Sequence, residues 1–166
     1  MKGVQQAIYV ELDKIYDEAK MYLEFWMVRV ARREVSRSNN KQNQEFTNYA
    51  LLLEFNGNAF RIRWQRIQFV KHGTKVIRLT KSISVPKTLR YPKSSFRYAD
   101  DWELDLILEV EEGVHILRKK VSALMKAHQT IINASKLDDD ELVVSSCRER
   151  VQPTTKSIAE IKKSLY

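Results

Sequence analysis

The stretch from Phe55 to Ala99 contains eleven Lys or Arg residues and no Asp or Glu. The cations are Arg61, Arg63, Arg66, Lys71, Lys75, Arg78, Lys81, Lys87, Arg90, Lys93 and Arg97, and Phe55, Phe60, Trp64, Phe69, Tyr91, Phe96 and Tyr98 are interleaved with them. Cations neutralise phosphates and release condensed counterions; if half of these engage, log K falls with log salt at a slope of about −5. Aromatic rings stack on unpaired bases at about 1–3 kcal/mol each. Together the two residue types point to nucleic acid. Phe60, Trp64 and Phe69 read as core residues opposite strand arginines, whereas Tyr91, Phe96 and Tyr98 are the better stacking candidates.

Other chemistries are poorly supplied. His72, His115 and His128 show no metal-ligand spacing, and the last two lie 13 residues apart on one predicted helix. His128 falls on an apolar stripe and reads as a satisfied interfacial histidine, and His72 as a turn residue. Phosphate-loop, dinucleotide and nucleophile-elbow signatures are absent. Asp100, Asp101, Glu103 and Asp105 superficially resemble a cation cluster, but on a helix they read as favourable charge at its N-terminus. The single cysteine, Cys147, rules out an internal disulfide. The expectation is a non-enzyme with no cofactor and no metal.

The 166-residue chain carries a net charge of +8, and 43% of it is hydrophobic, enough for one domain with a core. Asp100–Leu117 adds seven acidic residues and no cation. Those acids can pair with the basic stretch, but surface pairs stabilise by only about 0–1 kcal/mol each, and they are too few to neutralise it. The N-terminal MKGVQQAIYVELDK lacks the apolar core of a signal peptide, and no apolar run suits a membrane span, so a cytoplasmic location is expected.

Three- and four-residue spacing of Val4, Ile8, Leu12 (or Ile15), Ala19, Leu23, Trp26 and Val30 predicts a helix over 4–35. Polar Ser36–Glu45 predicts a loop. Period-two alternation predicts a strand over Thr47–Phe55, a hairpin at Asn56-Gly57-Asn58 with both turn residues tolerant of positive φ, and a returning strand Ala59–Val70. Apolar parity slips after Gln65, which predicts a β-bulge near Gln65–Arg66 or burial on both faces at one end. After a turn at Lys71–Thr74, Lys75–Val85 is a third strand whose Ile77, Leu79, Ile83 and Val85 share an apolar face. Pro86–Tyr98 is an irregular connection. Asp100 opens a second long helix to about Ala134, with Glu103 completing a capping box and Gly113 as an interior weak point. Leu142–Ser145 reads as a short strand, and Ser157 and Glu160 cap a last short helix.

The order of RIRWQRIQFV, KSISVP and RYPKSSFRYADDWELDLILEVEEGVHILRKKV after a long helix resembles the MobI-type auxiliary proteins of conjugative elements, over about residues 5–135. The resemblance implies a relaxosome accessory factor acting near the origin of transfer beside a relaxase, without itself nicking DNA.

These readings combine into an α+β fold, two long helices packed on one face of a three-stranded antiparallel sheet with a short C-terminal helix. A single domain spans 1–136, and 137–166 is a loosely attached tail. The expected function is a non-enzymatic DNA-binding accessory protein of conjugative transfer, with duplex or single-stranded DNA, a relaxase or other transfer protein, and a homodimer mate as partners. Arg61, Arg63, Arg66, Lys71, Lys75, Arg78 and Lys81 supply phosphate contacts from the sheet, and Lys87, Arg90, Lys93 and Arg97 from the connection. Tyr91 and Tyr98 are the base-stacking groups. The rivals are a protein–protein adaptor working through its amphipathic helices, and a binder of RNA, single strands or anionic membrane surfaces.

Overall fold

Two long helices run side by side because each carries one continuous apolar stripe that the other can cover. The computed structural model describes residues 1–38 and 46–166. Helix α1 spans Lys2–Arg37 and α2 spans Asp101–Ser135. Three facing pairs fix their antiparallel sense: Tyr9 with His128, Tyr22 with Gly113, and Arg33 with Trp102. Ile15, Ala19, Leu23, Trp26 and Val30 of α1 meet Leu106, Ile107, Val110, Val114 and Leu117 of α2 in one core. The loop expected over Ser36–Glu45 falls mostly on 39–45, outside the described residues; α1 itself continues to Arg37.

The sheet is an antiparallel meander, β1 (Tyr49–Asn56), β2 (Ala59–His72) and β3 (Lys75–Ser82), with β2 in the centre. β1 pairs with β2 from Tyr49↔Arg66 to Asn56↔Ala59. β3 pairs with β2 from Gln65↔Ser82 to His72↔Lys75. Both ladders are unbroken, so there is no bulge at Gln65–Arg66. Only Gln65 and Arg66 are paired on both sides; otherwise the near half of β2 belongs to β1 and the far half to β3.

Both hairpins turn on a glycine. Gly57 and Gly73 sit at φ +60° and +64°, each the first residue of a two-residue loop, while Asn58 and Thr74 stay at negative φ. That is the type II′ pattern, whose twist suits the flanking strands; of Asn56 and Gly57, both tolerant of positive φ, only the glycine adopts it.

The inner face of the sheet presents Leu51, Phe60, Ile62 and Trp64 to the helices. Trp64 meets Trp26 edge to face at 4.9 Å between ring centroids. The α+β architecture therefore matches the expectation. β3 ends at Ser82 rather than Val85, and its Ile77 and Leu79 are exposed instead of packed.

The C-terminal segment contains α3 (Cys147–Arg150) and α4 (Ile158–Ser164). Ser157 and Glu160 form the expected capping box. Residues 142–145 are not a strand. Composition predicts loose attachment, yet 143–151 are tied to the body. The Val143 N–H donates to Gln5 (3.0 Å) and the Cys147 N–H to the Gly57 carbonyl (2.9 Å). The Arg150 guanidinium donates to Asp13, to the carbonyls of Ser145 and Asn58, and lies 4.3 Å from the centre of the Tyr9 ring.

Candidate nucleic-acid interface

β2 outruns β1 by six residues, and this excess builds the longest run of exposed residues among the described ones. Beyond Ile67 the chain continues as a two-stranded ribbon, and every residue from Gln68 to Ser82 is exposed. At about 3.4 Å per residue the five paired positions Gln68–His72 extend the ribbon by about 17 Å. The register puts Phe69, Lys71, Val76 and Arg78 on one side, and Val70, His72, Lys75, Ile77 and Leu79 on the other. Each side therefore mixes cations with apolar groups. Phe69, Val76 and Leu79 are 58%, 61% and 48% exposed.

Parity continues from this ribbon into the body. Arg61 and Arg63 lie on the same face as Arg78, as the alternation predicts. They differ in freedom. Arg61 is exposed, whereas the half-buried Arg63 donates to Glu54 at 3.0 Å. Arg66 and Lys81 pair across the ladder on the opposite face. The Arg66 guanidinium sits 3.5 Å from the centre of the Tyr98 ring, so one face of that ring is already covered. Tyr98 remains 54% exposed.

The connection after β3 divides the remaining candidates. Lys87, Lys93 and Arg97 are exposed, and Arg90 is paired with Glu112. Tyr91 and Phe96 are 1% and 2% exposed. Their assignment to base stacking is therefore corrected: both rings pack into the core, where Phe96 meets Trp64 and Tyr49 edge to face. Phe69 moves the other way, from expected core to exposed ribbon. Among the described residues, Lys71, Lys75, Arg78, Lys81, Lys87, Lys93 and Arg97 take part in no ion pair, while Arg63 and Arg90 do.

A buried polar network holds this surface in place. The Glu111 carboxylate, 1% exposed, accepts from Trp64 Nε1 at 2.7 Å, from the Tyr91 N–H at 3.1 Å and from two nitrogens of Arg118. Arg118 also donates to the carbonyls of Ile62 (2.7 Å) and Leu89 (3.2 Å). Leu89 sits at φ +62°, a conformation costing about 1–3 kcal/mol outside glycine, and the Arg118 contact is one of the bonds that keep it there. One ion pair thus clamps α2, β2 and the Pro86–Tyr98 connection together.

Glu103 does similar work at the other end of α2. It does not close a capping box, since no side chain caps at Asp100. Instead its fully buried carboxylate accepts from the Asn48 and Tyr49 N–H groups at the start of β1, at 2.9–3.1 Å. Burial outweighs those bonds and pushes its pKa up to about 7. The acidic run is consequently split: Glu103 and Glu111 are structural, while Asp101, Asp105 and Glu109 are exposed on α2. Composition alone concealed this division. The signal available was their placement eight residues apart on the apolar side of the helix, beside Leu106, Val110 and Val114.

His128 is buried and shares the Tyr9 hydroxyl (3.1 Å) and Gln5 side chain (3.4 Å), as its place on the apolar stripe implies. Among the described residues no three His, Cys, Asp or Glu side chains converge to hold a metal ion. Nor, among them, is any helix long and apolar enough to cross a membrane.

These features define a small α+β protein with a cation-rich, acid-free β2–β3 hairpin and connection, clamped to an acidic–basic helix. The family model described as MobI protein matches residues 15–132, from the middle of α1 to near the end of α2. The chain belongs to this mobilisation-associated family. Neither the curated proteins nor the solved structures contain a match to it.

Proposed function

We propose that this protein is a non-enzymatic DNA-binding accessory factor of conjugative transfer, acting near the origin of transfer alongside a relaxase. The observation that carries the reading is the set of exposed cations with no acidic partner among the described residues, Lys71, Lys75, Arg78, Lys81, Lys87, Lys93 and Arg97, all from one acid-free stretch. Exposed Arg61 extends it along the sheet. Such a surface attracts a polyanion whatever its base sequence. Membership of a mobilisation family supports DNA as that polyanion. Arg63, Arg66 and Arg90 act mainly in posing this surface, because each is already engaged with Glu54, Tyr98 or Glu112.

Fluorescence anisotropy of labelled duplex DNA tests the reading. The expected result is binding at about 50 mM salt that weakens with a log–log slope near −5 to −6. No affinity at that salt would overturn it. Competition with single strands, RNA and anionic vesicles ranks the polyanions, and duplex DNA is expected to compete best.

A further inference from the structure

We infer that the ribbon from Gln68 to Lys81 is a groove-entering arm, inserted into the major groove of duplex DNA with its two sides facing the two phosphate walls. The inference rests on the DNA-binding reading and specifies the element and groove it uses.

Three observations support it. First, the ribbon is exposed on both sides, with only Phe69 and Arg78 near its base lining a cleft beside Leu23 and Trp26 of α1 and Ile158 of α4. Its residues are exposed throughout, including Phe69, Val70, Val76, Ile77 and Leu79, and a lone two-stranded hairpin gains little stability in water. A solvated segment of such length with five large apolar groups is more costly than a polar one unless something covers them.

Second, its charge names the occupant. Lys71 and Arg78 lie on one side and Lys75 on the other, with Lys81 and Arg66 at the base, and there is no acid anywhere along it. A protein partner needing all of these cations would have to be acidic on two opposed walls. Duplex DNA provides two phosphate walls with an apolar-accessible floor between them.

Third, its dimensions fit. A ribbon with side chains on both faces is about 10 Å thick, against a major groove of about 12 Å and a minor groove of about 6 Å. With the glycine turn at Gly73 leading, the length beyond the body spans the groove depth of about 8.5 Å. Lys71, Lys75 and Arg78 then reach phosphates, while Val76 and Ile77 near the tip contact base edges and thymine methyl groups.

Two variants of the full chain separate arm from body. In the first, Phe69–Arg78 is replaced by Gly-Asn, the chain's own β1–β2 turn, directly after paired Gln68 and before Leu79. In the second, Val76→Ser and Ile77→Ser are combined, leaving every charge in place. Folding is checked by circular dichroism. The first is expected to bind a mixed-sequence duplex at least about thirtyfold more weakly, with the salt slope reduced by about 2.5 to 3 for three lost contacts. The second is expected to bind at least about tenfold more weakly with an unchanged slope. Methylation of guanine N7, which lies in the major groove, is expected to interfere with wild-type binding.

The failures are distinguishable. If the shortened chain binds with wild-type affinity and slope, the arm inference is overturned while DNA binding by the body stands. If the wild type does not bind at all, both fall. Undiminished binding accompanied by loss of a dimer on size-exclusion chromatography would assign the ribbon to self-association, and N7 methylation without effect would remove it from the major groove.

Discussion

Glu111 and Arg118 lie two turns apart on α2 and meet as a two-pronged ion pair of 2.6 and 2.9 Å, with side chains only 1% and 4% exposed. Neither group has water to fall back on, so each depends on the other and on the neutral donors and acceptors around them. Breaking a buried pair by removing one partner costs about 3–5 kcal/mol, because the survivor is stranded in a low-dielectric setting, whereas replacing both by apolar groups is often tolerated. Arg118→Met is therefore expected to lower unfolding free energy by that amount in urea titrations. Combining it with Glu111→Leu should recover a substantial part. Strict additivity of the two single changes would show that the groups do not depend on each other.

Glu103 and His128 make opposite contributions to the pH dependence of stability. Burial raises the Glu103 pKa from 4.5 to about 7, so the folded state holds this proton more tightly than the unfolded chain. Its contribution is complete below about pH 4.5 and is lost as pH rises towards 7. Burial, with the Arg150 charge, lowers the His128 pKa below 6.5. That contribution is complete above pH 6.5 and is lost as pH falls. Each slope is at most about 1.4 kcal/mol per pH unit. In denaturant titrations between pH 5 and 7, Glu103→Gln should make stability rise more steeply with pH, and His128→Asn should make it fall more steeply. Slopes unchanged by either substitution would remove these groups from the balance.

Gly113 of α2 lies directly against the Tyr22 ring of α1. A Cβ built there would lie 2.2–2.4 Å from the Tyr22 ring, so a methyl group must displace the ring. Glycine inside a helix is otherwise unfavourable by about 0.8–1.0 kcal/mol relative to alanine. Gly113→Ala is expected to destabilise the wild type by about 1–3 kcal/mol through overpacking. In a Tyr22→Ala background the same change should stabilise by up to about 1 kcal/mol. Thermal unfolding of the four proteins closes the cycle, and the same sign in both backgrounds would show that Tyr22 is not the obstacle.

Cys147 reports on the docking of the C-terminal segment. Its thiol is fully buried and its pKa is pushed up to about 11 by that burial, so it is neither accessible nor ionised near neutrality. Labelling with a thiol reagent should be slow until the segment detaches. Arg150→Met removes the donors to Asp13, Ser145 and Asn58 and should accelerate labelling at least about tenfold, equivalent to about 1.4 kcal/mol, with a smaller effect on global unfolding. Labelling that tracks only global unfolding would show that this segment does not open independently.

The helices and hairpins were legible because apolar periodicity is a local signal, and each stripe here is long. The capping residues Ser157 and Glu160 were legible for the same reason. What was not legible depends on which surface lies opposite. Tyr91 and Tyr98 sit seven residues apart in one irregular connection, yet Tyr91 is buried under Arg118 and beside Glu111, and Tyr98 stays outside beneath Arg66. The parity slip after Gln65 was visible, but its cause was not a bulge. Trp64 and Ile67, on opposite faces, are both buried, so β2 is covered on both faces near the end of its pairing with β1 and exposed on both from Gln68 onward. Likewise Glu103 fits a capping pattern in sequence, but the unpaired N–H groups it satisfies belong to β1, some 55 residues away.

The connection after β3 can be separated from the arm by its effect on salt dependence. Lys87, Lys93 and Arg97 are exposed, outside the ribbon and in no ion pair among the described residues, so changing them to Gln removes charge without stranding a partner. Surface substitutions of this kind shift stability by no more than about 0.5 kcal/mol. If all three touch phosphate, the triple variant should reduce the salt slope by about 2.5 to 3 and weaken binding several-fold at low salt. Arg90→Gln is the informative contrast. Its guanidinium is already held by Glu112, so its loss should change the slope by less than any one of the three. A slope reduced as much by Arg90→Gln as by Lys93→Gln would show that the pair opens on DNA and that Arg90 joins the phosphate-binding set.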